Sequence, residues 1–74
     1  MMTQKEFETL LGEKVNGKDY ELIEYVYLWY PKLSKVKIAI IYKIGGMLMI
    51  DDLLPRAQAV KREMEETGRK INLL

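Results

Sequence analysis

The feature that most constrains this chain is that its 74 residues include neither cysteine nor histidine. A chain this short encloses one modest hydrophobic core, so we expect a single domain spanning 1–74. Disulfides and zinc sites built from these two residue types, which often support small domains, are excluded. With 49% hydrophobic and 31% charged residues, burial of apolar surface alone is expected to fold the chain.

The sequence predicts no membrane segment and no export signal. No apolar run approaches the roughly 20 residues that span a bilayer, and the run from Ile38 to Tyr42 is closed by lysine on both sides. The first residues lack a positive leader followed by an apolar region and a small-residue cleavage site. We therefore expect a cytoplasmic protein. The net charge of +1 identifies no partner, so electrostatic arguments depend on local charge distribution.

A capping box predicts the first helix. In such a box the hydroxyl of Thr3 and the carboxylate of Glu6 each bind a backbone N–H at the helix start. Apolar residues then recur at helical spacing until Gly12, which suits the left-handed position after a helix. The pattern predicts a helix over 4–11.

A second helix is predicted between Asn16 and Tyr30. Asn16 is a favourable N-cap, and Pro31 disfavours helical geometry at the residue before it. Apolar and aromatic residues surround most of this segment, which is typical of the central helix of a small domain. We expect Ile23 and Trp29 to be largely buried.

The segment that follows is rich in β-branched residues and fits two structures. As a helix it begins after Ser34, ends at Gly45-Gly46, and buries one face consisting of Val36, Ala39, Ile40 and Ile44. As a strand it pairs through the two glycines with 47–50, giving an α+β fold with a hairpin at 36–50. We favour the helix because 47–50 is rich in Met and Leu, which prefer helices, and because an isolated hairpin is marginally stable.

Two further helices are predicted in the last third of the chain. Pro55 is expected to end or kink a short apolar helix over 47–54 and to start the next one. That last helix carries an apolar stripe of Ala57, Val60 and Met64 and ends before Gly68. The predicted fold is therefore all-α, a small compact domain of four to five short helices.

Two segments resemble other proteins. The stretches Tyr25 to Pro31 and Tyr42 to Pro55 are similar to short proteins, without an assigned activity, carried by phages and mobile elements of Gram-positive bacteria. The resemblance implies a biological setting and no mechanism. Tyr30 stands where the family is expected to carry histidine, so a shared polar site there is in doubt. The relatives carry more polar, helix-favouring residues before the glycine pair, which also favours the helix over the hairpin.

Candidate catalytic and metal-binding residues are few. Asp51 and Asp52 are adjacent carboxylates, but capping and the helix dipole explain them better than a magnesium site. Glu21 and Glu24 share one helix face and are expected to be solvated, whereas catalytic pairs usually converge from different elements. Ser34 has no histidine to activate it. We expect no enzyme activity, no cofactor, no metal and no small-molecule substrate.

Nucleic-acid binding is an alternative function, because every charged residue from 25 to 50 is basic. Lysines with interleaved aromatics contact phosphates and stack on bases. Against this hypothesis, the segment has no arginine for base reading and the chain is nearly neutral overall. The candidate nucleic-acid contacts are Lys32, Lys35, Lys37 and Lys43.

Protein interaction, with another protein or by self-association, is the function we favour from the sequence. Seven aromatics and five methionines are many for so small a core, and interfaces are enriched in these residues. The alternative is that the core contains them all. The apolar side chains least easily assigned to one core stripe, and so the candidate interaction residues, are Tyr27, Tyr30, Met47, Met49, and Ile71 to Leu74.

Overall fold

The computed structural model describes residues 1–67, and within them the chain forms three helices and no strand. These are α1 (Gln4–Leu11), α2 (Gly17–Trp29) and α3 (Lys35–Thr67). The all-α prediction is confirmed over this range, and segment 36–50 is helical. The predicted count of four to five helices is wrong, because the last three predicted helices are one kinked element.

The capping box of α1 is confirmed, and so are the predicted helix bounds. The backbone N–H of Glu6 donates to Thr3 Oγ1 at 3.1 Å, and the Thr3 N–H donates to Glu6 Oε1 at 2.9 Å. The helix ends at Gly12, whose φ of 84° and ψ of 12° lie in the left-handed region. This cap orients α1 so that its apolar face, including Phe7 and Leu11, is buried.

The loop between α1 and α2 is anchored to α1 through the backbone of Val15, a buried residue. Gln4 Nε2 donates to the Val15 carbonyl at 2.8 Å, and the Val15 N–H donates to Glu8 Oε2 at 2.9 Å. Asn16 then caps α2 as predicted, accepting from the Asp19 N–H at 2.8 Å. Both backbone groups of a buried loop residue are thereby satisfied by side chains.

A kink at Gly46 divides α3 into two arms, 35–45 and 47–67. Gly46 has φ 60° and ψ −153°, a combination open essentially to glycine alone. Gly45 is required for a different reason, since a Cβ there would collide with Met49 Cγ. A straight helix of 33 residues would be about 50 Å long, whereas the molecule's longest extent is 38 Å. The kink therefore lets both arms pack against the other helices.

Pro55 does not end one helix and start the next, so that part of the sequence prediction is wrong. It lies inside the second arm of α3, where proline removes one backbone hydrogen bond at a cost of about 3 kcal/mol or more. On either side of it, Ile50 and Ala57 are fully buried. Packing of these residues holds the helix continuous through the proline, which itself is exposed.

The core lies where α1 and α2 meet the two arms of α3. Phe7 is at its centre: its ring centroid is 6.1 Å from that of Tyr20 and 5.8 Å from that of Tyr42, the latter edge-on. Ile23 is fully buried, as predicted. Trp29 is partly buried and packs against the core at the end of α2, where the Lys61 ammonium lies 5.7 Å from its ring centroid.

Tyr20 gives the fold a dependence on alkaline pH. Its hydroxyl donates to the Met2 carbonyl at 3.0 Å, and burial, with the nearby Glu24 carboxylate, raises its pKa from 10.0 to about 12. Because the folded pKa lies above the unfolded one, its contribution to stability is complete below pH 10 and is lost as the pH rises through 12. Burial also raises the pKa of Tyr42, which acts in the same direction.

We therefore expect the urea concentration at the unfolding midpoint of the wild type to decrease as the pH rises from 9 to 12, because the raised pKa of Tyr20 acts over this interval. Tyr20→Phe should be less stable at pH 9, since it leaves the Met2 carbonyl without its partner, but should lose less of its stability on going to alkaline pH. Tyr30→Phe, at a partly exposed position, is the matched control and should follow the wild type. If the urea midpoint decreases equally with pH in the wild type and in Tyr20→Phe, this assignment is wrong.

Candidate interaction surface

The first arm of α3 has two apolar faces, and only one of them is buried. Ile38 and Ala39 face the core, being 0% and 5% exposed. Successive helical residues are rotated by about 100°, so three other aliphatic residues fall together on the opposite side. We call these residues the α3 stripe: Val36, Ile40 and Ile44, with 55%, 51% and 81% of their surface exposed.

The prediction that this segment buries Val36, Ala39, Ile40 and Ile44 is wrong for three of these residues. Of these four, only Ala39 is buried. The spacing of four residues from 36 to 44 was visible in the sequence, but so was a second apolar face through Ile38 and Tyr42. Nothing local decides which of two apolar faces packs inward.

Exposed apolar residues also lie outside the first arm of α3. Leu10 of α1 is 47% exposed and lines, with Val36 and Lys35, a shallow cleft of about 550 Å³. Just past the kink, Leu48 is 80% exposed. Contiguous exposed apolar side chains on a small domain are typical of contact surfaces. Sequence pattern alone does not identify Leu10 and Leu48 as surface residues, because each falls on an otherwise regular helical pattern.

Lysines flank the α3 stripe on both sides. Relative to the middle of the stripe, helical periodicity places Lys37 about 60° away in one direction and Lys43 about 60° away in the other. Both are exposed, and neither has a carboxylate partner within residues 1–67. Lys35 lies on the α1 side instead, with its Nζ 3.1 Å from Glu6 Oε2.

The four lysines proposed as nucleic-acid contacts are therefore not brought into one patch. The stripe separates Lys37 from Lys43, and the charge of Lys35 is offset by Glu6, whose pKa is lowered by the Thr3 N–H and by Lys35. Lys32 lies in the turn before α3 with a φ of 58°. The aromatic residues near these lysines in the sequence, Trp29, Tyr30 and Tyr42, are all partly buried against the core.

The residues proposed from sequence for protein interaction lie mostly elsewhere. Tyr27, Tyr30 and Met47 are half-buried and pack on the core, and Met49 is 39% exposed. Tyr27 and Tyr30 line a second cleft of about 640 Å³ between the end of α2 and the second arm of α3. The remaining candidates, Ile71 to Leu74, lie outside the described residues.

The candidate polar residues form no chemical site in the part of the chain that the structure describes. Asp51 and Asp52 are exposed, and no three acidic residues there converge as metal ligands. Glu24 is half-buried, 3.5 Å from the Tyr20 hydroxyl, and Glu21 is exposed. Ser34 caps α3, its Oγ accepting from the Lys37 N–H at 3.1 Å, as its position in the sequence suggested.

Comparison with known proteins adds no relative. No family model, curated protein or solved structure matches this chain. Over residues 1–67, no helix combines the length and apolar character that crossing a membrane requires. The candidate site therefore rests on the exposed surface of the first arm of α3.

Proposed function

We propose that this chain is a small non-enzymatic domain that binds a protein through the α3 stripe. The observation that carries the proposal is that Val36, Ile40 and Ile44 share one helix face and are all at least half exposed. Fully burying an aliphatic side chain of this size contributes about 1.5–3 kcal/mol of free energy. Since each stripe residue is at least half exposed, a partner that covers it gains a substantial part of this free energy. Leu10, beside Val36, extends the same surface onto α1.

The alternative of nucleic-acid binding has less support. Its remaining basis is the pair Lys37 and Lys43, which are exposed and unpaired among the described residues. A strand of nucleic acid that contacts both lysines must also cover the aliphatic stripe between them, which offers neither hydrogen bonds nor aromatic faces.

Segments 25–31 and 42–55 resemble proteins of phages and mobile elements. The resemblance suggests that a protein partner should be sought in that biological setting.

Site-specific photo-crosslinking tests the proposal in cells that express the chain. A photoreactive amino acid at Ile40 or Ile44 is expected to give a discrete adduct with a protein, identified by mass spectrometry. The same amino acid at Gln58, an exposed residue of the second arm, serves as the matched control and should give none. The adduct from position 44 should disappear when Val36 and Ile40 are replaced by serine.

Two outcomes would contradict the proposal. One is that positions 40 and 44 give no more adduct than position 58. The other is that the adduct survives Val36→Ser with Ile40→Ser, since binding through the stripe requires these side chains. Adducts consisting of two copies of this chain would support the proposal with self-association as the mode of interaction.

A further inference from the structure

We propose that the partner of the α3 stripe presents an acidic amphipathic helix, an inference that rests on the function proposed above. A helix docked on this surface meets aliphatic side chains along the middle and a lysine on each side. The complementary sequence therefore has apolar residues at i, i+4 and i+8, with glutamate or aspartate flanking them on both sides.

The charges on the first arm of α3 itself are of one sign. From 25 to 50 the chain contains no aspartate or glutamate, and its four charged residues are all lysines. Lys35 is engaged by Glu6, which leaves Lys37 and Lys43 as the free cations of the first arm within the described part of the chain. A basic partner would place like charges together there, whereas an acidic one would pair with both lysines.

The dimensions of the surface suit a helix. From Val36 to Ile44 the stripe is about 12 Å long, or roughly two helical turns, and a partner helix with the same four-residue spacing matches it. The flexible stems of Lys37 and Lys43 can lie along apolar surface while their ammonium groups reach carboxylates on either edge of the partner. The aliphatic residues thus supply the buried contact area, and the two lysines favour a partner with negative charge.

An anionic membrane surface shares part of this chemistry and is less favoured. Interfacial helices usually present tryptophan or phenylalanine among their apolar residues, and stable attachment requires more than two cationic groups. The stripe contains only Val and Ile, and the carboxylates of Asp51 and Asp52 follow it after the kink. Vesicles are therefore included in the test as a competing ligand.

Designed peptides of 18 residues test the inference with the purified protein. Two peptides share the apolar pattern and differ only in carrying glutamate or lysine on both flanks, and binding is measured by fluorescence anisotropy. At low salt we expect the glutamate peptide to bind about 10-fold more tightly than the lysine peptide. In 0.5 M salt the preference should fall to about 2–3-fold, because exposed charges are screened.

Charge reversal provides the decisive variant. Lys37→Glu with Lys43→Glu should reverse the preference, so that the lysine peptide binds more tightly. Lys14→Glu with Lys18→Glu changes the net charge equally at exposed positions away from the stripe and should leave the preference intact. Ile40→Ser with Ile44→Ser should weaken binding of both peptides, and circular dichroism checks that each variant is folded.

Other outcomes separate this inference from the proposed function. If the two peptides bind equally, the acidic-helix inference is overturned and the proposed function stands. The same holds if neither peptide binds but the crosslinks described above are found. Binding to vesicles of anionic phospholipid but to neither peptide would overturn it in favour of a membrane surface. Absence of both peptide binding and crosslinks would overturn the inference and the function together.

Discussion

Phe7→Ala is expected to leave most of the protein unfolded at physiological temperature. Phe7 is fully buried and its ring contacts both Tyr20 and Tyr42, so the substitution removes contacts that join all three helices. Truncating a buried phenylalanine costs about 3–5 kcal/mol, and a core of this size supplies little more than that in total. Urea and thermal unfolding followed by circular dichroism measure the loss.

Leu10→Ala is the matched control, since Leu10 lies on the same helix but is 47% exposed. We expect it to change the free energy of unfolding by about 1 kcal/mol or less. Phe7→Leu keeps part of the buried volume and should fall between the two. If Phe7→Ala and Leu10→Ala unfold at the same urea concentration, the central place given to Phe7 in the core is wrong.

Gly46→Ala is expected to lower the melting temperature by about 5–20 °C. A Cβ is strained at φ 60° and ψ −153°, at a cost of about 1–3 kcal/mol, and each kcal/mol shifts the melting temperature of so small a domain by about 4–8 °C. If the chain relieves this strain by adopting helical dihedrals at 46, the first arm must leave α1. The ring contact between Tyr42 and Phe7 is then lost as well.

Three further glycine variants separate strain from a general effect of substitution. Gly17→Ala, where φ is not positive and a Cβ would meet nothing within 4 Å, should be neutral or stabilising. Gly12→Asn should be tolerated, because asparagine accepts the left-handed conformation that Gly12 has at a helix end. Gly46→Asn should not, because its ψ lies outside that region. Equal melting temperatures for Gly46→Asn and Gly12→Asn would contradict this reading of the kink.

Local signals were sufficient for the ends of the first two helices. The hydroxyl of Thr3 and the amide of Asn16 act on backbone groups three residues away, so their roles depend on adjacent sequence alone. Pro31 likewise ends α2 through its own ring, and α2 stops at Trp29. The turn that follows holds Lys32 at a positive φ, which no local preference of lysine predicts.

The candidate surface was only partly predictable. That the charges between 25 and 50 are all basic is plain in the sequence, but which lysines are free depends on the ion pair between Lys35 and Glu6, residues far apart in the chain. The interaction residues chosen from composition, such as Tyr27 and Met47, are half-buried, whereas the exposed stripe was assigned to the core. Composition indicates surplus apolar surface without locating it.

The sequence by itself determined the caps and the glycine pair at which α3 bends, because each depends on the conformational preferences of neighbouring residues. It favoured the all-helical class over a hairpin at 36–50 without deciding between them. Only the tertiary structure decided that α3 continues through Pro55 and that Val36, Ile40 and Ile44 face outward. The physical reason is competition for a small core. Phe7 and Tyr42 pack edge to face, which fixes the rotation of the first arm and leaves its second apolar face exposed among residues 1–67.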